Sequence, residues 1–489
     1  MKVFVLVLII LSISACGGSS SKQPQDGWVV GVHMPSRDYA NRCITPLEHQ
    51  DPVGDYVDEN NWIRSWSHET YLWYDELPDI DPATVNNPIE YFNKMKTSAK
   101  TENGLPKDRF HYAENAQELN EYSETGVLVG YGVAISINKT PPRKAIIVYS
   151  EPDSIAAQNN IKRGTEITSV NGEMIADGNW NALSAGLFPS ELGESHTFEI
   201  KDPNKLTRKV EIRSTQINEK PVHTDKVIMQ DDQKIGYVLL NSFYIATAEK
   251  QLIDTIENFS KENIDELVLD LRYNGGGIIS LSADLGAMIA GESAVGDVFT
   301  ELTYNDKLSI ENSIYNFSST SSSNLTVAKG TRLPTLDLQR VYILSTNETA
   351  SASEYLINGL RGIDFEVVLI GGKTTGKPYG WEDTENCGTI YSTIQFKGKN
   401  AKGFSDYIDG FVPSAEDNGR DQVSGCSVSD DLNHLLGDKN EKMLATALYH
   451  IKNNECPIGS HNSSGNPTLP LSADNGRIIR PYPTRLILQ

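Results

Sequence analysis

The chain has 489 residues, 38% of them apolar and 22% charged, enough for two or three compact domains and too polar for a protein that crosses a membrane many times. Lys and Arg number 43 against 65 Asp and Glu, a formal charge of −22. The basic footprint of a nucleic-acid binder is therefore missing.

Met1-Lys2 is followed by an apolar run from Val3 to Leu11 and then by Ser12-Ile13-Ser14-Ala15-Cys16-Gly17-Gly18-Ser19. A basic start, a run too short to span a bilayer and small residues at a cleavage point predict an export signal over 1–15. Ile13-Ser14-Ala15-Cys16 resembles the bacterial lipobox, which implies acylation of Cys16 as the first residue of the mature chain. Residues 16–27 then form a small-residue tether, and Gly17 after the cysteine implies the outer membrane. The expected location is the cell envelope, facing the periplasm. With Cys16 lipidated, Cys43, Cys387, Cys426 and Cys456 remain in an oxidising compartment, where two disulfides have three possible connectivities. Cys387–Cys426 with Cys43–Cys456 is the preferred set, one bridge within a region and one tying the ends together. No Cys-x-x-Cys pair occurs and the His residues are scattered, so no metal site is expected.

Residues 28–118 read as a helical N-terminal region, in which apolar positions from Trp62 to Tyr74 recur near helical spacing. Residues 119–215 turn to short alternating runs such as Val133-Ala134-Ile135-Ser136-Ile137, a small β-rich module. From 216 to 456 continuous apolar strands (235–240, 267–271, 341–344, 367–370) alternate with amphipathic helices, which predicts an α/β domain with a mostly parallel sheet buried on both faces. The Ser-rich stretch 315–327 reads as a surface loop, and 457–489 as an extended tail.

Three strand-to-helix or strand-to-loop turns carry chemistry. Asp270-Leu271-Arg272-Tyr273-Asn274-Gly275-Gly276-Gly277 offers glycines whose N–H groups face a ligand or an oxyanion; packing and phosphate binding are the other uses of such a turn. Thr349-Ala350-Ser351-Ala352-Ser353-Glu354 places a serine at a helix start, where it serves as a cap or as a nucleophile. Gly371-Gly372-Lys373-Thr374-Thr375-Gly376-Lys377-Pro378 nearly matches a phosphate loop, but Pro378 stands where the Mg²⁺-binding hydroxyl belongs. What remains is an amine, Lys377 or Lys373, on the loop after the strand next in sequence to the serine turn. If those strands are neighbours, the amine reaches the hydroxyl. Burial lowers the pKa of an amine from ~10.4, so that it can accept a proton near neutrality. Ser136 and Lys139 have Ser-x-x-Lys spacing but lie in an alternating strand, which sends the two side chains apart.

Jointly and in this order, the three turns resemble those of the carboxy-terminal processing, or tail-specific, serine proteases. The resemblance covers roughly 120–450 and implies Ser351 as nucleophile, Lys377 as its base, and N–H donors at Ala352 and at Gly276 or Gly275. It also implies that the β-rich module is a PDZ domain, since Gly130-Tyr131-Gly132-Val133 and Ile161-Lys162-Arg163-Gly164-Thr165-Glu166-Ile167 look like that fold. Such a module would hold protein C-termini by adding them to a sheet edge. The segments Trp62 to Tyr74 and Cys426 to Asp431 look like the lipoprotein branch of the family. Trp381 stands where family members often carry Gln, and Gly362 where an Asp is often found, so no third catalytic group is assigned. The expectation is an exported, lipid-anchored serine endopeptidase acting on proteins or peptides, without cofactor, metal or nucleic acid. A non-catalytic peptide-binding lipoprotein on a degenerate protease scaffold is the alternative.

Overall fold

The computed structural model describes residues 28–46, 52–138, 140–458, 476–479 and 486–487. The expected export signal and tether, with Cys16, and Lys139 lie outside the described residues, and among the described ones no helix is long and apolar enough to cross a membrane.

In the N-terminal region α1 (Tyr56–Thr70) starts at Asp55, whose carboxylate accepts from the N–H of Val57 and Asp58 while Asp58 accepts from Asp55 N–H. This reciprocal cap satisfies donors that helix geometry leaves open. The helix buries Trp62, Ile63 and Trp66 against Phe92 of α2 (Pro88–Lys94) and Tyr391. It stops at Thr70, so Tyr71 to Tyr74 lie beyond it, and Tyr71 is fully buried on extended backbone. Next come β1 (Tyr112–Asn115), α3 (Ala116–Thr125) and β2 (Val127–Gly130).

The β-rich module comprises β3 (Val133–Asn138), β4 (Ala145–Ser150), α4 (Ile155–Gln158), β5 (Glu166–Val170), β6 (Glu173–Met174), α5 (Trp180–Leu187), β7 (Ser195–Lys201) and β8 (Thr207–Arg213). Its strands pair antiparallel in the order β3-β4-β5-β7-β8, with β6 beside β5. Alternate residues, among them Ile135, Ile147, Phe198 and Val210, pack with Leu183 of α5 into a separate core. β9 (Thr215–Asn218) pairs with β2, so a two-stranded ribbon carries the chain into and out of the module.

The large domain follows: β10 (Val222–Gln230), β11 (Gln233–Leu240), α6 (Ala248–Glu262), β12 (Glu266–Asp270), β13 (Gly277–Ile278), α7 (Ile279–Ala290), β14 (Val298–Tyr304), β15 (Ser313–Asn316), β16 (Arg340–Ser345), α8 (Ala352–Gly362), β17 (Glu366–Gly371), β18 (Tyr379–Gly380), β19 (Thr384–Asn386), β20 (Thr389–Ser392), β21 (Phe396–Lys399), β22 (Val412–Ser414), β23 (Gln422–Ser427) and α9 (Lys442–Asn453). A mixed sheet runs β10-β11-β12-β16-β17-β23-β22, antiparallel at β10–β11 and parallel at the other pairings. Successive residues of a strand face opposite sides. Leu267, Leu269, Val341, Ile343, Val367 and Leu369 accordingly meet α6, α7 and α8, while Val268, Tyr342, Leu344, Val368 and Ile370 meet α9. Both faces are covered, and the loops after β12, β16 and β17 leave at the same end.

Two expectations are corrected. The disulfides are Cys43–Cys387 and Cys426–Cys456, not Cys387–Cys426 and Cys43–Cys456. Cys387 turns the β19–β20 hairpin, which pairs with β1 of the N-terminal region, so its neighbour is Cys43; Cys426 sits on β23 under α9, whose end delivers Cys456. The Ser-rich stretch packs inward: Ser321 and Ser323 are buried, and their hydroxyls donate to Glu249 of α6, which also accepts Thr326 and Val327 N–H. The tail contributes β24 (Gly476–Ile479) and β25 (Leu486–Ile487).

A buried ionic cluster joins module to large domain. Arg163 of the module donates to Asp430 (2.5 Å), to Val148 O (2.7 Å) and to Tyr273 Oη (2.6 Å), while Tyr273 O–H donates to Asp430. Arg272 donates to Asp270 (2.9 Å), Asp430 (2.7 Å) and both oxygens of Glu441 (2.9 Å each). Burial acts to raise the Asp430 carboxyl, but Arg163 and Arg272 hold it down to about 2. A carboxylate held below its unfolded value of ~3.9 contributes stability that is complete above that value and lost as pH falls toward 2. Asp430→Asn is expected to reduce unfolding stability at pH 7 by roughly 3 kcal/mol or more, with the deficit narrowing by up to about 2.6 kcal/mol as pH falls from about 4 to below 2. Denaturant titrations of both chains across that range check this, and a deficit that stays constant with pH contradicts it.

Candidate active site

The parallel pairing of β16 with β17 places the serine turn and the Lys377 loop side by side. Ser351, between β16 and α8, has φ 62° and ψ −119°, and Ser353 N–H donates to Ala350 O (3.1 Å). These values describe the first central residue of a type II′ turn, a position that favours glycine. A serine held there is strained by about 1–3 kcal/mol. Its side chain does not cap the helix: Ser351 Oγ is buried and makes no hydrogen bond to any described residue. The hydroxyl is thus fixed in place without a structural partner.

Glu354 joins the turns. Its fully buried carboxylate accepts from Thr374 Oγ1 (2.5 Å) and Gly376 N–H (2.7 Å) on Oε1, and from Lys377 N–H (2.8 Å) and Ser351 N–H (2.9 Å) on Oε2. Burial pushes the carboxyl up while these four donors favour its charge. One oxygen therefore ties the backbone of Ser351 to that of Lys377. Arg109 holds the opposite side of the same loop, its guanidinium donating to the carbonyls of Thr375 (3.1 Å), Gly376 (3.1 Å) and Ile408 (2.9 Å). Gly376 has φ 86°, and a Cβ there would lie 2.2 Å from Ile408 O, so only glycine fits.

The loop is not a phosphate cradle. The N–H groups of Gly372, Thr374, Thr375, Gly376 and Lys377 all point to protein acceptors, namely Ser345 O, Phe411 O, Thr349 O and the Glu354 carboxylate. Lys377 is fully buried, with its amine 3.7 Å from the Trp381 ring centre and 5.2 Å from that of Phe110. Lys373, by contrast, is only half-buried.

The glycine turn lies against the serine turn through Asn274, whose carbonyl accepts from Ala350 N–H (3.0 Å) and Ser353 Oγ (3.1 Å). Gly276 N–H already donates to Asn274 Oδ1 (2.9 Å), whereas Gly275 N–H has no such partner among the described residues. Ala352 opens α8 beside Ser351, where first-turn amides lack helical acceptors. The turns that carry Ser351 and Ala352, Gly275 and Gly276, and Lys377 thus lie side by side. Gly130, Tyr131, Gly132 and Val133 do not join them. They lie in the module, where with Leu128, Leu187, Phe188 and Ile217 they line an apolar cavity of about 410 Å³. Cys426, His450 and Cys456 come within 4.8 Å of one another, but the two sulfurs form a disulfide.

The sequence reading missed the roles of Arg109 and Glu354. Glu354 was visible only as a helix-cap residue, and Arg109 lies more than two hundred residues from the loop it holds.

The fold thus sets a serine turn and a lysine loop side by side at one end of a mixed sheet, and the comparisons define it further. Residues 234–393 match the model of Peptidase family S41, and residues 58–112 match that of the Peptidase S41 N-terminal domain. These two segments are thus similar to the models of a family of C-terminal processing proteases. It is 26% identical over 256 residues to a carboxyl-terminal-processing protease of Picosynechococcus sp., covering 52% of this chain and 56% of that one. It is also 26% identical over 167 residues to a chloroplastic carboxyl-terminal-processing peptidase 3 of Arabidopsis thaliana, covering 32% of each. The chain thus spans between a third and just over half of the length of these curated relatives. A crystal structure of a Bacteroides fragilis protein assigned to the S41 proteases is similar over 81% of this chain and 97% of that one, with 26% identity and a TM-score of 0.61. The family match contains Ser351 and Lys377; the N-terminal match contains Arg109.

The strain at Ser351 predicts a stability difference. Ser351→Gly is expected to stabilise the chain by about 1 kcal/mol, whereas Ser351→Ala stays within about 0.5 kcal/mol of the parent. Denaturant unfolding of the three chains measures this, and a glycine variant less stable than the alanine variant contradicts the turn assignment.

Proposed function

We propose that the protein is an exported, lipid-anchored serine endopeptidase of the C-terminal processing type, with Ser351 and Lys377 as its catalytic dyad. The observation that carries this reading is the shared acceptor: Glu354 Oε2 takes the N–H of both residues, so the turn that bears the hydroxyl and the loop that bears the amine are held as one unit. The absence of a cap bond at Ser351 Oγ supports the same role.

Ser351 Oγ attacks the scissile carbonyl and Lys377, neutral, takes its proton. The N–H groups of Ala352 and the glycine turn, with Gly275 better placed than Gly276, receive the oxyanion. Lys377 then protonates the leaving amine, and water repeats the sequence to release the acyl group. The rings of Trp381 and Phe110 lie beside the buried amine. No metal or organic cofactor enters these steps.

The β-rich module is read as a PDZ domain that recruits protein C-termini, the cavity behind Gly130–Val133 taking the terminal apolar side chain. Lipid anchoring through Cys16 places the enzyme at the bacterial envelope, facing the periplasm. The second reading, a peptide-binding scaffold without activity, is disfavoured by a strained serine and a buried lysine retained together.

The test is degradation of an unstructured protein by a soluble form beginning at Ser19. Ser351→Ala and Lys377→Ala are each expected to reduce the rate by about 10³-fold or more; equal degradation by all three chains contradicts the dyad.

A further inference from the structure

Several groups around Lys377 favour the charged form of its amine. The nitrogen lies 3.7 Å from the ring centre of Trp381 and 5.2 Å from that of Phe110, and an aromatic face attracts a cation. The loop that carries the amine also wraps the Glu354 carboxylate, which accepts the N–H of Gly376 and of Lys377. A general base must be neutral when it takes its proton, so these attractions have to be opposed. Burial of Lys377 opposes them, and a second positive charge nearby does the same.

Arg109 carries that charge. Its guanidinium carbon lies 4.6 Å from the centre of the same Phe110 ring, so the shared ring keeps the two groups within about 10 Å of each other. Its hydrogen bonds among the described residues go to the carbonyls of Thr375, Gly376 and Ile408 rather than to a carboxylate, and Nη1 makes none. Burial works against the Arg109 charge, while Glu354 of α8, Asp409, Tyr379 of β18 and Asp108 favour it; a guanidinium keeps its proton in a protein. Asp108 accepts from Tyr71 Oη (2.7 Å) and Asp409 from Asn103 Nδ2 (2.6 Å). Burial pushes the Tyr379 phenol up to about 12 and that of Tyr407 well up, so neither adds charge in the working range. Tyr112 of β1 meets Trp381 edge-on.

We propose that Arg109 is a positioning residue that acts by charge as well as by shape: its guanidinium keeps the Lys377 amine unprotonated and so available as the base for Ser351. This role rests on the peptidase reading of the site, and it gives the N-terminal region a part in the chemistry beyond holding the loop. Two unit charges about 10 Å apart, at an effective dielectric near ~20, interact by roughly one pH unit. That is enough to decide the protonation of a group that titrates near the working pH.

The test is the pH dependence of Ser351 labelling by a serine-directed fluorophosphonate in the soluble form beginning at Ser19, for the parent, Arg109→Gln, Arg109→Lys, Asp409→Asn and Lys377→Ala. The labelling rate rises with pH along an acid limb as the base loses its proton, and the readout is the midpoint of that limb rather than the plateau. Arg109→Gln removes the charge and is expected to move the midpoint up by about one pH unit, a roughly tenfold loss of rate at the foot of the limb. Arg109→Lys keeps the charge and is expected to leave the midpoint where it stands in the parent. Asp409→Asn removes a carboxylate that faces Arg109 and is expected to move the midpoint down. A midpoint that Arg109→Gln does not move, or that the Gln and Lys variants move equally, overturns the proposal, because loss of the carbonyl bonds alone lowers the plateau. If Arg109→Gln does not fold, Asp409→Asn decides: a downward shift supports the proposal and an unmoved midpoint overturns it. Labelling of Ser351 that Lys377→Ala leaves unchanged is instead the failure of the dyad, and it removes the proposal too, since no base then remains for Arg109 to act on.

Discussion

The buried carboxylate of Glu354 is the constraint on which the site depends. A carboxylate in a dry interior is costly unless donors surround it, and here the donors are the backbone of the serine turn, the backbone of the lysine loop and one threonine hydroxyl. Satisfying the charge and aligning the two turns are one event. The strained backbone at Ser351 persists because its own N–H is one of those donors, and the lysine loop holds its shape because Arg109 takes the carbonyls whose amides Glu354 takes. The N-terminal region therefore belongs to the site, although it supplies none of the reacting groups.

A second set of buried charges extends this logic to the module. Arg163 reaches from the module to Asp430 and to Tyr273, and Tyr273 directly precedes the Asn274 whose carbonyl and side chain shape the glycine turn. A shift of the module that moved Arg163 would be felt at Tyr273, one residue from Asn274 in the glycine turn. The charged cluster thus forms a direct physical path between the β-rich module and the glycine turn.

Much of this was legible in the sequence because the relevant signals are local. Continuous apolar runs marked β12, β16 and β17, glycines marked the turns that leave them, and chain order brought Ser351 and Lys377 onto neighbouring loops. Pro378 argued against the phosphate loop. What escaped depended on contacts between distant segments. The pairing of Cys43 with Cys387 follows from β1 joining the β19–β20 hairpin, a sheet no periodicity announces. Arg109 looks like any solvated arginine until the loop of Thr375 and Gly376 folds over it. The Ser-rich stretch read as solvent-facing because hydroxyls usually are, yet Glu249 of α6 gathers them inward. The bond from Gly276 N–H to the Asn274 side chain is another contact that sequence cannot reveal.

The most direct measurement of the central claim is covalent labelling of the soluble chain by a serine-directed fluorophosphonate, with the adduct located by mass spectrometry. The account predicts a single adduct on Ser351, formed at least roughly 10²-fold more slowly when Lys377 is replaced by alanine. Labelling at another residue, or a rate at Ser351 indifferent to Lys377, would contradict it.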